Sequence, residues 1–542
     1  MTHIVTVQLQ DYYQHKVFET LVSKRHWNRF ESRLWSNVDE TLRLLGRYNV
    51  TATFFALGWI GEKYPDLIRL IAQERHEIAS AGYWGVDRTK VSQMEFREDI
   101  KRGKEVLEDA LGKEVLGFRS IRRSLTERDL WHLDLIAEEG YLYDASLMPA
   151  PIRFSGARKV TGPFPYETRR GTITELPHAT ARVLGVRVPI GGGNFLRQIP
   201  ARYTFRAFDR WVHEDKRPFM LYFHPWELDS EQPEVSAFGA VMRVRQYRNL
   251  GKISYLLPRY FERARFTSAA EYLSLTPAPV EPREAMRETP RAPVVSKAHL
   301  DEVSVIIPCH NESKTLPFLE RTLEELTEAG RDGYRFRYIF VDDKSTDDTL
   351  RCLRETFSDP ERYLVVALSE NRGVSGAIMA GIEAAETEIV CSLDADCSYD
   401  PLELLSMIPM LGEEVALVTA SPYHRDGAVL GVPEWRLFLS RGLSGIYRFV
   451  LRHKLATYTA CFRVYRRSKA LSVKPSFGDF RGILELLVKL DIAGEKIREY
   501  PTTLQSRLFG VSKMKTLKVI AKHLDMLMRI RSFRRKRGEN CL

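Results

Sequence analysis

The sequence predicts two α/β domains in tandem, and three observations carry that expectation. The chain is 542 residues long, more than one ordinary core accommodates. A stretch from Thr276 to Ala298 with prolines at 277, 279, 282, 290 and 293 divides it near its middle, as a semi-extended linker would. On both sides, short β-branched runs alternate with amphipathic helical segments, the pattern of folds with parallel strands. The expected parts are therefore residues 1–275, a linker over 276–300, residues 301–515 and a tail over 516–542.

Composition narrows the class. Hydrophobic residues make up 44% and charged residues 28%, as in a globular chain, and no apolar run is long enough to cross a bilayer. Ile4-Val5-Thr6-Val7 reads as a strand entered without a basic-then-apolar export signal. Six cysteines, none in Cys-x-x-Cys spacing, read as reduced thiols of a cytoplasmic protein. The net charge of +10 is local: from Lys513 onward ten Lys and Arg face only Asp525 and Glu539. That points to an anionic partner, a surface or a ligand, near the C-terminus and not to general nucleic-acid binding.

In the first half the strand candidates are His3–Leu9, Thr51–Leu57, Val115–Phe118 and Phe219–His224. In the second half they are Val303–Pro308, Tyr338–Val341, Tyr363–Ala367 and Ile389–Leu393. The last runs into Asp394 and Asp396, whose side chains leave a strand end on the same side. Two anionic groups that close repel unless a cation lies between them, and oxygen-only ligands suit Mg²⁺ or Mn²⁺. A surface Asp pair in a turn is the plainer reading. Other strand ends carry Pro308-Cys-His-Asn-Glu312 and Asp342-Asp343, and Asn371–Gly376 is a glycine-bearing loop opening a helix. Carboxylates at the C-terminal ends of parallel strands lie where open α/β sheets bind ligands.

In this order the segments resemble family-two glycosyltransferases of GT-A fold, particularly the dolichyl-phosphate mannose synthase-like branch, over nearly all of residues 302–515. The resemblance implies that Pro308, Glu312, Asp342, Asp343 and Asp394 bind the nucleotide and that Asp394 and Asp396 hold a Mg²⁺ or Mn²⁺ ion. It also implies a catalytic set of Asp396, Arg507 and Lys513, the last two from the element Arg507-Leu-Phe-Gly-Val-Ser-Lys513. Asp342 and Asp343 could instead cap the following helix, and Gly510 and Ser512 could mark a helix start. Two departures stand out. Lys344 occupies a place usually held by Gly, and Thr457 replaces the acid of an Asp-x-x-Ser-Gly-Phe-Arg-like segment. A phosphate acceptor needs no proton removed, whereas a sugar hydroxyl does, so the missing acid favours a polyprenyl phosphate. Asp426, Glu434 and Glu485 remain as substitute bases. Beyond Met514, apolar residues at helical spacing interleave with Lys and Arg and end in Arg534–Arg537. Such a helix can lie on an anionic membrane surface or pack on its own domain.

In the first half, Ala52–Gly58, His76–Ser80, Gly117–Arg119, Tyr143–Ser146, Gly191–Gly193 and Phe223–Asp229 resemble NodB-homology polysaccharide deacetylases. This implies a distorted (β/α) barrel in which a carboxylate and a His-x-x-x-His pair bind a metal and a second carboxylate acts as base. Here Gln8 stands in the place of the base, and Ala81 and Gly85 replace the two histidines. Asp11 alone remains of the ligands, while Arg119, Asp144 and His224 survive. Without a metal-bound water, amide hydrolysis loses its nucleophile.

The sequence thus predicts a cytoplasmic glycosyltransferase, peripheral on the inner face of the membrane, that carries a deacetylase-like barrel without hydrolytic chemistry. Its donor is a GDP- or UDP-sugar and its acceptor a polyprenyl phosphate or a glycan. A bifunctional deacetylase/glycosyltransferase and a non-catalytic glycan-binding scaffold are the alternatives.

Overall fold

The computed structural model describes every residue except 20, 122–131, 149–161, 184–185, 215–216, 282–299, 431–433, 506, 510–524, 528 and 531–542. Lys513, most of the basic tail and much of the linker therefore lie outside the described residues. The chain divides into two compact units. The first comprises Met1–Lys24, Ser32–Pro233 and Phe238–Val294, and the second Arg25–Glu31, Glu234–Ala237 and Val295–Leu542. Two short segments from the first half of the sequence thus belong to the second unit.

The first unit is built on β1 (Thr2–Leu9), β2 (Thr53–Ala56), β3 (Glu77–Ser80), β4 (Gly117–Phe118), β5 (Tyr143–Asp144), β6 (Phe164–Thr168) and β7 (Gly171–Glu175). A separate hairpin, β8 (Thr180–Val183) with β9 (Val186–Pro189), precedes β10 (Met220–Phe223) and β11 (Arg265–Thr267). Pairing runs β10-β1-β2-β3-β4-β5-β7-β6, with β11 also on β1. Apart from the antiparallel β6–β7 pair the strands are parallel. No ladder among the described residues joins β10 to β6, so the distorted barrel is an open one. β1 is buried along almost its whole length, as a strand covered on both faces must be. Where the sequence predicts a strand over Val115–Phe118, only Gly117–Phe118 form one. Residues 278–280, expected in the linker, pair with 112–114 of this unit.

The second unit centres on β12 (Asp301–Cys309), β13 (Tyr334–Asp342), β14 (Tyr363–Ala367), β15 (Ile389–Ser392), β16 (Val415–Ser421), β18 (Arg463–Arg466) and β19 (Lys496–Pro501). Between and after these lie β17 (Ala428–Leu430) and β20 (Thr503–Gln505), which pair with each other. The sheet order is β14-β13-β12-β15-β18-β16-β19. β14, β13, β12 and β15 are parallel, and β18 is antiparallel to both neighbours. Successive strands go outward from β12 on one side, then resume beside it with β15. A crevice therefore opens between the carboxyl ends of β12 and β15, where such sheets bind ligands. Alternate β12 residues face two cores. Val303, Val305 and Ile307 pack with Leu319, Leu323 and Leu326; Ile306 packs with Ile378, Ile382 and Leu484. The helix Gly373–Ala384 lies so close to β12 that a Cβ at Gly381 would come within 2.3 Å of the Ile306 side chain.

Cys309, Cys352, Cys391, Cys397 and Cys461 are free thiols. No helix among the described residues is long and apolar enough to cross a membrane.

His76, at the entry to β3, is buried and accepts a hydrogen bond at Nδ1 from the Ala52 amide (3.2 Å). Burial, with the Arg75 charge adding to it, lowers its pKa to about 4. The folded chain keeps this ring neutral while the unfolded chain protonates it near the ordinary value, about 6.5. The stability it contributes is complete above about pH 6.5 and is lost as pH falls toward 4. In urea titrations His76→Gln should flatten the decline between pH 7 and 5 by at most about 2 kcal/mol; an unchanged slope would show that this ring titrates normally.

Candidate functional site

The crevice of the second unit collects most of the sequence-predicted residues. β12 ends at Cys309 opposite Asp342 of β13, and the Asp343 amide donates to the Cys309 carbonyl (2.8 Å). Across the switch point the Leu393 amide donates to the Ile306 carbonyl (3.0 Å). This register sets Asp394 and Asp396 two and four residues beyond the end of β15. Pro308, Glu312, Asp342, Asp343, Asp394, Asp396 and Arg507 all stand at or just past this end of the sheet.

Asp342 and Asp343 are buried and do different work. One Asp342 oxygen accepts from the Ser345 amide (3.2 Å); the other is buried without a partner. An orphaned carboxylate oxygen is costly unless something is to be bound there. Asp343 accepts from the Arg372 amide (2.6 Å), which ties the glycine-bearing loop to β13. Neither caps the helix Thr349–Thr356; Asp347 instead accepts from the Thr349 amide (3.0 Å), so the capping alternative does not hold. Lys344 has φ +54°, the left-handed backbone that glycine adopts without strain, which explains the usual glycine there.

Among the described residues Arg507 is a cation of the crevice. Its Nε donates to Asp396 (2.8 Å) and its outer nitrogen donates to Glu312. Burial alone would lower its pKa, but the Asp396 and Glu312 carboxylates outweigh that and raise it. Asp396 also accepts from the Ser398 amide (2.9 Å). Asp394 keeps part of its surface open, yet enclosure of its carboxyl, with the Asp396 charge beside it, pushes its pKa up to about 7. Burial likewise raises Glu312 despite Arg507 at its side. The crevice holds more negative charge than one guanidinium offsets.

Among the described residues no group of three or more His, Cys, Asp or Glu is placed to hold a metal ion by itself. Asp394 and Asp396 offer an all-oxygen pair whose remaining ligands a diphosphate would supply, the usual arrangement for Mg²⁺. The raised Asp394 carboxyl fits that role.

The substitute bases fare poorly. Glu485 is fully buried, accepts from the Ser476 amide (2.7 Å) and pairs with Lys489 (2.8 Å); it anchors a loop and is withdrawn as a candidate. Asp426 is exposed beside Arg425 (3.3 Å), and the Glu434 side chain lies outside the described residues. Thr457 is buried with its hydroxyl accepting from Ser421 (3.1 Å). The sequence reading passed over Asp400, which accepts from the Leu402 amide (3.2 Å) and opens the turn Pro401–Glu403. Its Asp-Pro pairing was the available signal for a cap.

In the first unit Gln8, Arg119 and His224 share a buried polar network. The Gln8 amide, oriented by its neighbours, donates to His224 Nε2 (2.6 Å) and accepts from Arg119 Nε (3.0 Å). Arg119 also donates to Thr6 (2.9 Å) and contacts His178 (3.2 Å). With Nε2 accepting, His224 carries its proton on Nδ1 and donates to Glu227 (3.1 Å), which pairs with Arg197 (2.7 Å). Burial would raise Glu227, but His224 and Arg197 hold it down at about 2. Asp11 is consumed by structure: its oxygens accept from Ser32 (2.7 Å) and from the amides of Tyr12 (2.9 Å) and Arg33 (3.0 Å). Ala81 is buried, and at Gly85 (φ +58°) a Cβ would come within 2.6 Å of the Ile121 side chain. An imidazole there would have to displace Ile121 and Leu57.

Comparison with known proteins agrees with this division. The family model "Glycosyl transferase family 2" matches residues 304–472, "Polysaccharide deacetylase" residues 27–130, and a domain of unknown function, DUF3473, residues 145–274. An undecaprenyl-phosphate 4-deoxy-4-formamido-L-arabinose transferase from Pectobacterium carotovorum is 30% identical over 42% of this chain and 67% of its own length. A polyprenol monophosphomannose synthase from Mycolicibacterium smegmatis is 29% identical over 39% of this chain and 80% of its own. A dodecaprenyl-phosphate galacturonate synthase from Rhizobium johnstonii is 29% identical over 42% and 65%.

With Arg507 on Asp396, a divalent ion entering the crevice must displace a guanidinium. Arg507→Gln should tighten Mn²⁺ binding to the nucleotide-free protein about fivefold, the effect of roughly 1 kcal/mol for a part-buried ion pair. Calorimetric titration would reveal it, and an unaltered affinity would mean that Arg507 does not compete.

Proposed function

The chain belongs, through residues 304–472, to glycosyl transferase family 2, and from that premise we propose that it moves a hexose from a nucleoside-diphosphate sugar to a polyprenyl phosphate in cell-envelope polysaccharide synthesis. The observation that carries this reading is the gathering of Glu312, Asp342, Asp394, Asp396 and Arg507 at one switch point. The relatives' names supply the acceptor class, and Thr457 in place of an acid accords with an acceptor that has no proton to lose.

In this reading the unpartnered Asp342 oxygen accepts from the base or ribose of a GDP or UDP moiety. Asp394 and Asp396 hold Mg²⁺ or Mn²⁺, which when bound offsets the charge of the departing diphosphate. Arg507 exchanges its carboxylate partners for phosphate oxygens, to which its planar fork is suited. Lys513, six positions further on in the same motif, adds a second cation to the phosphates. An acceptor phosphate oxygen attacks the anomeric carbon, the bond from that carbon to the diphosphate oxygen breaks, and the nucleoside diphosphate leaves with the bonding pair. Attack opposite the leaving group inverts the anomeric centre. The protein works on the cytoplasmic face of the membrane, where the basic tail draws it to anionic lipid.

The barrel carries out no hydrolysis in this proposal. Gln8, Ala81 and Gly85 provide neither base nor metal ligand, and the oxygens of Asp11 are already engaged.

Purified protein given undecaprenyl phosphate, Mn²⁺ and a panel of radiolabelled GDP- and UDP-hexoses should yield a lipid-soluble labelled product with one of them. Asp394→Asn and Asp396→Asn should each lower that rate at least about a hundredfold without unfolding the protein. Wild-type rates in either variant would remove the metal assignment. Acetylated chitooligosaccharide with added Zn²⁺ or Co²⁺ should release no acetate; stoichiometric acetate would restore the bifunctional alternative.

A further inference from the structure

The second unit contains a cation that the proposed chemistry does not use. Arg29, in the segment Arg25–Glu31 of that unit, is 3% exposed. Its Nε donates to Glu325 (2.6 Å) and its terminal nitrogen to Asp400 (2.9 Å). His26 of the same segment contacts the second Asp400 oxygen (3.3 Å). Arg29 and Asp400 are 371 residues apart in sequence, so this pairing is a tertiary choice and no local turn.

Asp400 closes the loop that begins with Asp394 and Asp396. It caps Pro401–Glu403, while Ser398, midway, accepts from the Gln505 amide (2.9 Å) at the end of β20, shortly before Arg507. Phe30, the neighbour of Arg29, packs on Phe318 (5.1 Å between ring centres) and Phe509 (6.1 Å). The Ser236 amide, from the unit's other short segment, donates to the Leu508 carbonyl (2.7 Å). One segment therefore holds the carboxylate loop by charge and the stretch after Arg507 by packing. Burial would raise Asp400, but His26 and Arg29 bring it down to about 2, so the pair stays charged.

We propose that Arg29 is a positioning residue of the transferase site: by fixing Asp400 it sets the loop that carries Asp394 and Asp396 at the spacing the metal–diphosphate requires. This rests on the transferase reading above. It also gives the first half of the sequence a task in glycosyl transfer, because it supplies this residue.

The test uses the whole chain and five variants. Arg29→Gln and Asp400→Asn should each lower turnover about tenfold and weaken Mn²⁺–nucleotide binding by a similar factor, while far-ultraviolet circular dichroism stays that of wild type. The double variant should lose no more than either single one, since both cut the same link. Glu325→Gln, which releases Arg29 only from the helix Leu316–Gly330, should turn over at the wild-type rate. If Arg29→Gln fails to fold, Asp400→Asn alone decides, since it leaves the Arg29–Glu325 pair in place. Wild-type turnover and Mn²⁺ affinity in Asp400→Asn, or multiplicative losses in the double variant, would overturn the proposal. Asp396→Asn serves as the reference: if it keeps full activity the metal assignment on which this inference rests fails, whereas its loss beside unaffected Arg29 and Asp400 variants rejects this inference alone.

Discussion

Crowding of negative charge at the carboxyl ends of three neighbouring strands is the constraint around which the second unit is organised. β12, β13 and β15 are parallel and adjacent, so Glu312, Asp342, Asp394 and Asp396 emerge on one side within a short span. Carboxylates gathered in a low-dielectric crevice must either bind a cation or take up a proton. The ligand-free chain does both in part: Arg507 bridges Glu312 and Asp396, and Asp394 sits poised near neutrality. The arrangement persists because the surrounding backbone is tightly specified. The helix after the glycine-bearing loop approaches β12 through Gly381, and Asp343 ties that loop to β13.

The first unit solves the same problem by subtraction. Arg119 is almost fully buried, and an active carboxylate beside it would be charged and reactive. Gln8 accepts from Arg119 as such a carboxylate would, while removing its charge and adding a donor. Its amide both donates and accepts, so it joins Arg119 to His224 and fixes the His224 tautomer toward Glu227. A polar centre satisfied in this way is rigid. Asp11 spends its oxygens on Ser32 and backbone amides, and the space beside Gly85 is filled by Ile121.

Much of the site was legible because its residues follow strands with clear apolar patterns. Ile389–Leu393 announces a buried strand, but the strand ends at Ser392, and Asp394 and Asp396 follow it in a turn that the Cys397 amide closes on the Asp394 carbonyl (3.1 Å), so the pleat does not set their spacing. Arg507 was legible from a local motif. Glu485 was misread, since a lone acid in sequence carries no mark of whether it will anchor a loop or face a ligand. β16, β18 and β19 were not anticipated. β18 is short, with arginines at both ends, and their place in the sheet follows from pairing with strands far away in sequence.

By itself the sequence determined the tandem α/β plan, the carboxylates at the strand ends and the absence of histidine at positions 81 and 85, because each is written in local periodicity or in the identity of single side chains. Only the tertiary structure decided that Arg507 lies between Glu312 and Asp396, that one Asp342 oxygen has no partner, and that Arg29 reaches Asp400. These depend on which distant segments the sheet order and the packing of its faces bring together, and no short stretch of chain encodes that.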